Sequence, residues 1–100
     1  MSKTRQELSD YLHSLVDHVY FQPPESYKIE YPCIIYKLSN FEDVFADNLR
    51  YRTLKRYELT VISKDPEFDA VDKLREQRYC SFDRFYVVEN LNHFVFTLFY

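Results

Sequence analysis

Two rhythms of apolar residues run along this chain, one with the period of a helix and one with the period of a strand. Leu8, Tyr11, Leu12, Leu15, Val16 and Val19 recur at helical spacing and form one apolar stripe. Glu7, Asp10, His13, Ser14 and Asp17 fall on the other side. Ahead of the stripe, Thr4-Arg5-Gln6-Glu7 fits a capping box, in which Thr and Glu satisfy free N–H groups of the first turn. Pro23-Pro24 stops the pattern, since proline cannot continue a helix and restricts the residue before it. The spacing predicts a helix over Thr4–Val19.

The strand rhythm takes over after Pro32. Cys33–Leu38 is rich in β-branched and aromatic residues and predicts a strand with a buried face. Ser39-Asn40 is expected to turn the chain, Phe41–Ala46 to form a second, more exposed strand, and Asp47-Asn48 to turn it again. From Tyr51 to Ser63, Tyr57, Leu59 and Val61 alternate with Arg56, Glu58 and Thr60, which gives the longest strand signal. Asp65 is placed as an N-cap and Pro66 as the first residue of a second helix, over Pro66–Gln77. Phe68, Val71, Leu74 and Arg75 form its inward stripe. Ser81–Val88 and His93–Tyr100 then predict a hairpin closed by Glu89-Asn90-Leu91-Asn92. The order is α-β-β-β-α-β-β. It implies one α+β domain over residues 1–100, with a mainly antiparallel sheet and both helices packed on one face. Tyr57, Phe85, Phe94 and Phe96 are assigned to its core.

Composition sharpens this picture. The chain has no glycine, where average usage would supply about seven in 100 residues, and this removes the glycine-rich loops of nucleotide sites. It carries ten Tyr and nine Phe, more aromatic surface than a small domain readily hides, so some rings are expected at subunit contacts. A net charge of −3 argues against general affinity for nucleic acid or anionic membrane. No apolar run approaches the ~20 residues that span a bilayer. Met1–Glu7 lacks the apolar core of a signal peptide.

Little in the chain points to catalysis. His13 and His18 are five apart and diverge on a helix, and His93 stands alone, so no metal site is expected. Cys33 and Cys80 are isolated and are assigned as reduced, packed thiols. Glu42, Asp43 and Asp47 form an acidic group without a cation-loop pattern. Arg50, Tyr51, Arg52, Lys55, Arg56 and Tyr57 make a basic and aromatic stretch, which leaves a small nucleic-acid-binding module as an alternative. The expectation is a protein that is not an enzyme and takes no cofactor.

Several strings, taken in order and spacing, resemble a known group. They are Val19-Tyr20-Phe21-Gln22-Pro23-Pro24, Tyr31-Pro32-Cys33-Ile34-Ile35-Tyr36, Phe45-Ala46-Asp47-Asn48 and Lys55–Ile62 with Asp65-Pro66. Arg84-Phe85-Tyr86 and Asn90–Leu98 complete the set. Together they resemble the tail-terminator, or tail-completion (minor tail), proteins of long-tailed bacteriophages. The resemblance implies a structural virion protein, assembled in the bacterial host cytoplasm. It implies a homohexameric ring that caps the head-proximal end of the tail tube, ends tail growth and forms the head–tail joining surface. The implied partners are further copies of the chain, the tail-tube protein and the head–tail connector, with DNA only as cargo passing through the lumen and no membrane. Another neck or head-completion connector, or a minor capsid protein, is the neighbouring alternative. The expected contact residues are Phe41, Asp43, Phe45, Asp47, Asn48, Arg50 and Arg52 in the second hairpin, with Phe99 and Tyr100 on the last strand.

Overall fold

The structure is a computed structural model that describes residues 4–46 and 49–99, with the backbone alone at 42–46 and 49–54. Its elements are α1 (Arg5–His13), β1 (His18–Phe21), β2 (Cys33–Ala46), β3 (Leu49–Ser63), α2 (Asp69–Glu76), β4 (Cys80–Val88) and β5 (Leu91–Phe99). The five strands form one sheet in the order β1-β2-β3-β5-β4. The sheet is mixed. β1 runs parallel to β2, while the other three pairings are antiparallel.

The α+β class agrees with the sequence pattern, but the elements behind the same letter order differ. The first helix begins where the capping box places it, with the Thr4 side chain accepting from the Glu7 N–H at 3.2 Å. It ends at His13 rather than Val19. The amides of Ser14, Leu15 and Val16 fold back onto the carbonyls of Asp10, Tyr11 and Leu12, which keeps Val16 in the core without further helix. His18–Phe21 then forms a strand. Val19 had matched helical spacing only because a turn and a short strand bring it back to the same core.

The two strands expected over Cys33–Leu38 and Phe41–Ala46 are one strand. At Ser39 the register with β3 slips by one residue, so the expected turn is a bulge that bends the strand without reversing it. The second helix starts at Asp69, not Pro66. Asp65 accepts from the Glu67 N–H at 2.9 Å and Ser63 Oγ from the Asp65 N–H at 3.0 Å, so Ser63–Glu67 is a side-chain-stabilised turn. On α2 the buried residues are Ala70, Val71 and Leu74, and Arg75 is exposed.

Both helices lie on one face. Leu8, Leu12 and Val16 from the first helical segment and Ala70, Val71 and Leu74 from α2 meet Ile34, Tyr36, Tyr57, Leu59, Val61, Phe94, Phe96 and Leu98 in one core. The register shares these positions across the sheet: Tyr36 faces Leu59, and Leu59 faces Phe96. A fully buried Leu or Phe contributes about 1.5–3 kcal/mol, so this layer supplies most of the stability. α1 adjoins β1 and α2 adjoins β4.

The last hairpin closes more tightly than expected, through Glu89-Asn90 alone. Both residues have positive φ, 51° and 67°, as a two-residue turn of the type favoured in hairpins requires. Asn90 tolerates this region well, while Glu89 occupies a position usually given to Asn, Asp or Gly.

Candidate assembly surface

β2 and β3 are longer than the rest of the sheet. β1 accompanies β2 only up to Tyr36, and β5 accompanies β3 only from Arg56 onward. The remainder, residues 39–46 and 49–55, stands out as a two-stranded arm from a molecule 51 Å along its longest axis. Phe41 lies at its base with 53% of its surface exposed. Asp43, Phe45, Arg50 and Arg52 belong to the arm by backbone pairing, Asp43 opposite Thr53 and Phe45 opposite Arg50. The structure thus brings these expected contact residues onto one feature. Asp47, Asn48 and Tyr100 lie outside the described residues. Phe99 is half-buried at the end of β5, opposite Arg56, with its N–H donated to the Tyr79 carbonyl at 2.9 Å.

A second surface was not expected from the sequence. β4 is an edge strand of nine residues, and no described strand lies on its outer side. Phe82, Phe85, Tyr86, Val87 and Val88 are each 39–55% exposed, and Tyr79 just before the strand is 74% exposed. The core assignment of Phe85 is therefore corrected. Its ring does meet Phe94 at 4.9 Å, but the residue stays half exposed because no described strand lies on the outer side of β4.

The faces of β4 follow from its register. Phe82 lies opposite Phe96 and Phe85 opposite Phe94, so both are on the helix-bearing face. Strict alternation would put residues three apart on opposite faces. A register slip at Asp83 turns the second ring back to the same side, and Thr97 Oγ1 donates to Asp83 Oδ2 at 2.6 Å to hold the slip. Tyr86 stacks on His93 on the reverse face, rings 4.7 Å apart. Apolar side chains thus flank the edge on both faces.

The other edge of the sheet is dressed differently. Segment 22–32 returns alongside β1 and β2, where the His18 ring is 3.6 Å from the Glu30 carboxylate and the Tyr20 hydroxyl accepts from the Glu30 N–H. The Gln22 N–H donates to the Tyr36 carbonyl, and its side-chain oxygen accepts from the Leu38 N–H at 3.1 Å. Between this segment and β2 lies an open groove of about 620 Å³, walled by Pro23, Pro24, Tyr27, Ile29, Ile35 and Leu38.

The remaining candidate chemistry is quiet. Burial pushes the Cys33 thiol up to about 12, and burial followed by the nearby Asp83 charge pushes Cys80 up to about 11, so both are protonated thiols at neutral pH. They stand on β2 and β4, three strand spacings or roughly 14 Å apart across the sheet and offset along it as well, since Cys33 aligns through Ile62 and His93 with Tyr86, so they lie well beyond disulfide reach. Among the described residues no group of three metal-ligating side chains converges. Tyr57, the last aromatic of the basic stretch, is buried, and burial raises its hydroxyl pKa. It offers no face for a nucleic-acid base to stack on.

Comparison with protein-family models, curated proteins and solved structures finds no match to this chain.

Proposed function

We propose that this chain is a structural part of a bacteriophage tail or neck that works by contact alone. It joins further copies of itself into a ring on the head-proximal end of the tail tube, ends the tube's growth and presents a joining surface to the head. The observation that carries the reading is the unequal finish of the surface. The chain has a projecting β2–β3 arm and a bare apolar β4 edge, while the groove beside β2 is walled mainly by Pro, Tyr, Ile and Leu, with Glu25 and Lys37 as its charged lining residues. Such a surface suits lasting contact with other protein better than turnover. The resemblance to tail-terminator proteins supplies the station in the virion.

The reading is tested on growing tubes. Gold-labelled protein is added to polymerising tail-tube subunits of the same phage and the products are imaged. The reading expects label at one end of each tube and shortened tubes in proportion to the protein added. Unlabelled tubes of unchanged length would sink it.

A further inference from the structure

We propose that copies of this chain join head to tail by strand addition, with β4 of one copy pairing antiparallel to the outer half of β2 of the next. The proposal rests on the homo-oligomeric reading above and specifies its contact.

β4 is built like an inner strand yet stands at an edge. Phe82 and Phe85 on one face and Tyr86 on the other are half exposed, and Asp83 and Arg84 are its only charges. Natural edges are blunted by shortness, proline, charged side chains or bulges; β4 is nine residues long without lysine or proline, and its one bulge and its two charges fall together at Asp83-Arg84, leaving Phe85–Val88 undefended. Taking about 200 Å² per ring, the bare parts of Tyr79, Phe82, Phe85 and Tyr86 amount to roughly 400 Å², about half of the ~800 Å² each partner gives to a standard interface. The rest of that share falls to Val87, Val88 and the open edge backbone of the same copy. With one acid and one base on the strand, nothing selects a highly charged partner such as nucleic acid.

The same chain carries an acceptor of matching length. Beyond Leu38, whose N–H donates to the Gln22 side chain, no described strand lies on the outer side of β2 through Ala46, and the Phe41 N–H there is met only by the neighbouring Asn40 Oδ1 at 2.9 Å. That open stretch is eight residues, against nine in β4. The directions agree. β2 and β5 run the same way and β3 and β4 the opposite way, so β4 set beside β2 of an identically oriented copy is antiparallel to it.

The faces agree as well. Tyr86 and Val88 lie on the face away from the helices, and the groove walled by Ile35 and Tyr27 opens on that face at the start of the free β2 edge. In antiparallel pairing the end of β4 arrives there, and the groove's 620 Å³ accommodates an aromatic ring. Each copy then offers one edge and accepts another, which is a heterologous contact that propagates or closes.

Variants with one introduced cysteine in a Cys80→Ala background test the arrangement, with buried Cys33 left in place. Tyr86→Cys marks β4, while Asn40→Cys and Glu42→Cys mark two registers of β2. Under mild oxidation, an equimolar mixture of the β4 variant with a β2 variant is expected to give disulfide dimers at least tenfold above either variant alone. A chain carrying both cysteines is expected to give a ladder of multimers. Self-linking of Tyr86→Cys alone would mean a symmetric β4–β4 dimer and overturn the proposal. No linking in either register, with native mass above a monomer by sedimentation, would overturn it while leaving the homo-oligomeric reading intact. Phe85→Glu supplies the second check: a tenfold weaker self-association with unchanged circular dichroism is expected, and unchanged association would count against β4.

Discussion

The two edges of this sheet are finished in opposite ways. The β1 edge is four residues long, and the returning 22–32 segment ties down His18, Tyr20 and Gln22 around it. The β4 edge is nine residues long, apolar on both faces and bare. One sheet thus has a β1 strand tied down by its own chain and a β4 strand with no described strand on its outer side. An exposed strand edge templates pairing with other chains, which is why the proposed contact is set on β4.

Substitutions on matched aromatic residues break the comparison most directly. Phe96→Ala, beneath the sheet's centre, is expected to lower stability by about 3–5 kcal/mol, read from urea unfolding at low protein concentration. Phe82→Ala, whose ring lies 5.5 Å from Phe96 on the bare edge, should cost less than about 1.5 kcal/mol in the same assay, because much of the ring is already in water. Equal costs would mean that β4 is a finished part of the monomer core.

At the dressed edge, Gln22→Ala removes the acceptor for the Leu38 N–H and is expected to cost about 1 kcal/mol. Amide exchange should register the same contrast, with Leu38 slowed relative to outward amides of β4 in the monomer. An effect of similar size and opposite sign is expected at the tip of the β4–β5 hairpin. Replacing Glu89-Asn90 by Asn-Gly should add about 1 kcal/mol, since Asn tolerates positive φ better than Glu and Gly removes the Cβ at the second position. A loss of stability there would show that the turn's side chains carry contacts of their own.

The contrast with the buried thiols is read from pH dependence. Cys33 and Cys80 ionise at higher pH in the folded protein than in the unfolded chain, whose thiols titrate near 9. The unfolded state therefore loses its protons first, and stability falls as pH rises from about 9 towards 11 and 12. Unfolding midpoints at pH 8 and pH 10 check the sign. Cys33→Ala should flatten the slope.

Periodicity made part of this legible in advance. Thr4 and Glu7 mark the helix start, the alternation at Tyr57, Leu59 and Val61 identifies the core face, and the aromatic runs either side of Glu89-Asn90 place the last hairpin. Physical coincidences concealed the rest. Leu15, Val16 and Val19 keep helical spacing through a turn and a strand, because all three return to one core. Ser39-Asn40 looks like a turn but is a bulge, since polar residues serve either purpose and only the partner strand decides. The pairing of Phe41–Ala46 with the first half of β3 was recognisable, and Phe41 is exposed as expected of it. The exposure of Phe85 was not recognisable, since a ring on an edge strand and a ring on a central strand share one sequence pattern. Their difference is the neighbour, which sheet order supplies and local sequence does not.

Sedimentation equilibrium of the wild-type chain beside Phe85→Glu tests the central claim most directly. Wild type is expected to reach a multiple of 12.3 kDa, sixfold for a closed ring, and the variant to return to 12.3 kDa with its fold intact. A wild-type chain that stays at 12.3 kDa up to roughly millimolar concentration, where even weak contacts worth about 4 kcal/mol are populated, would contradict the account.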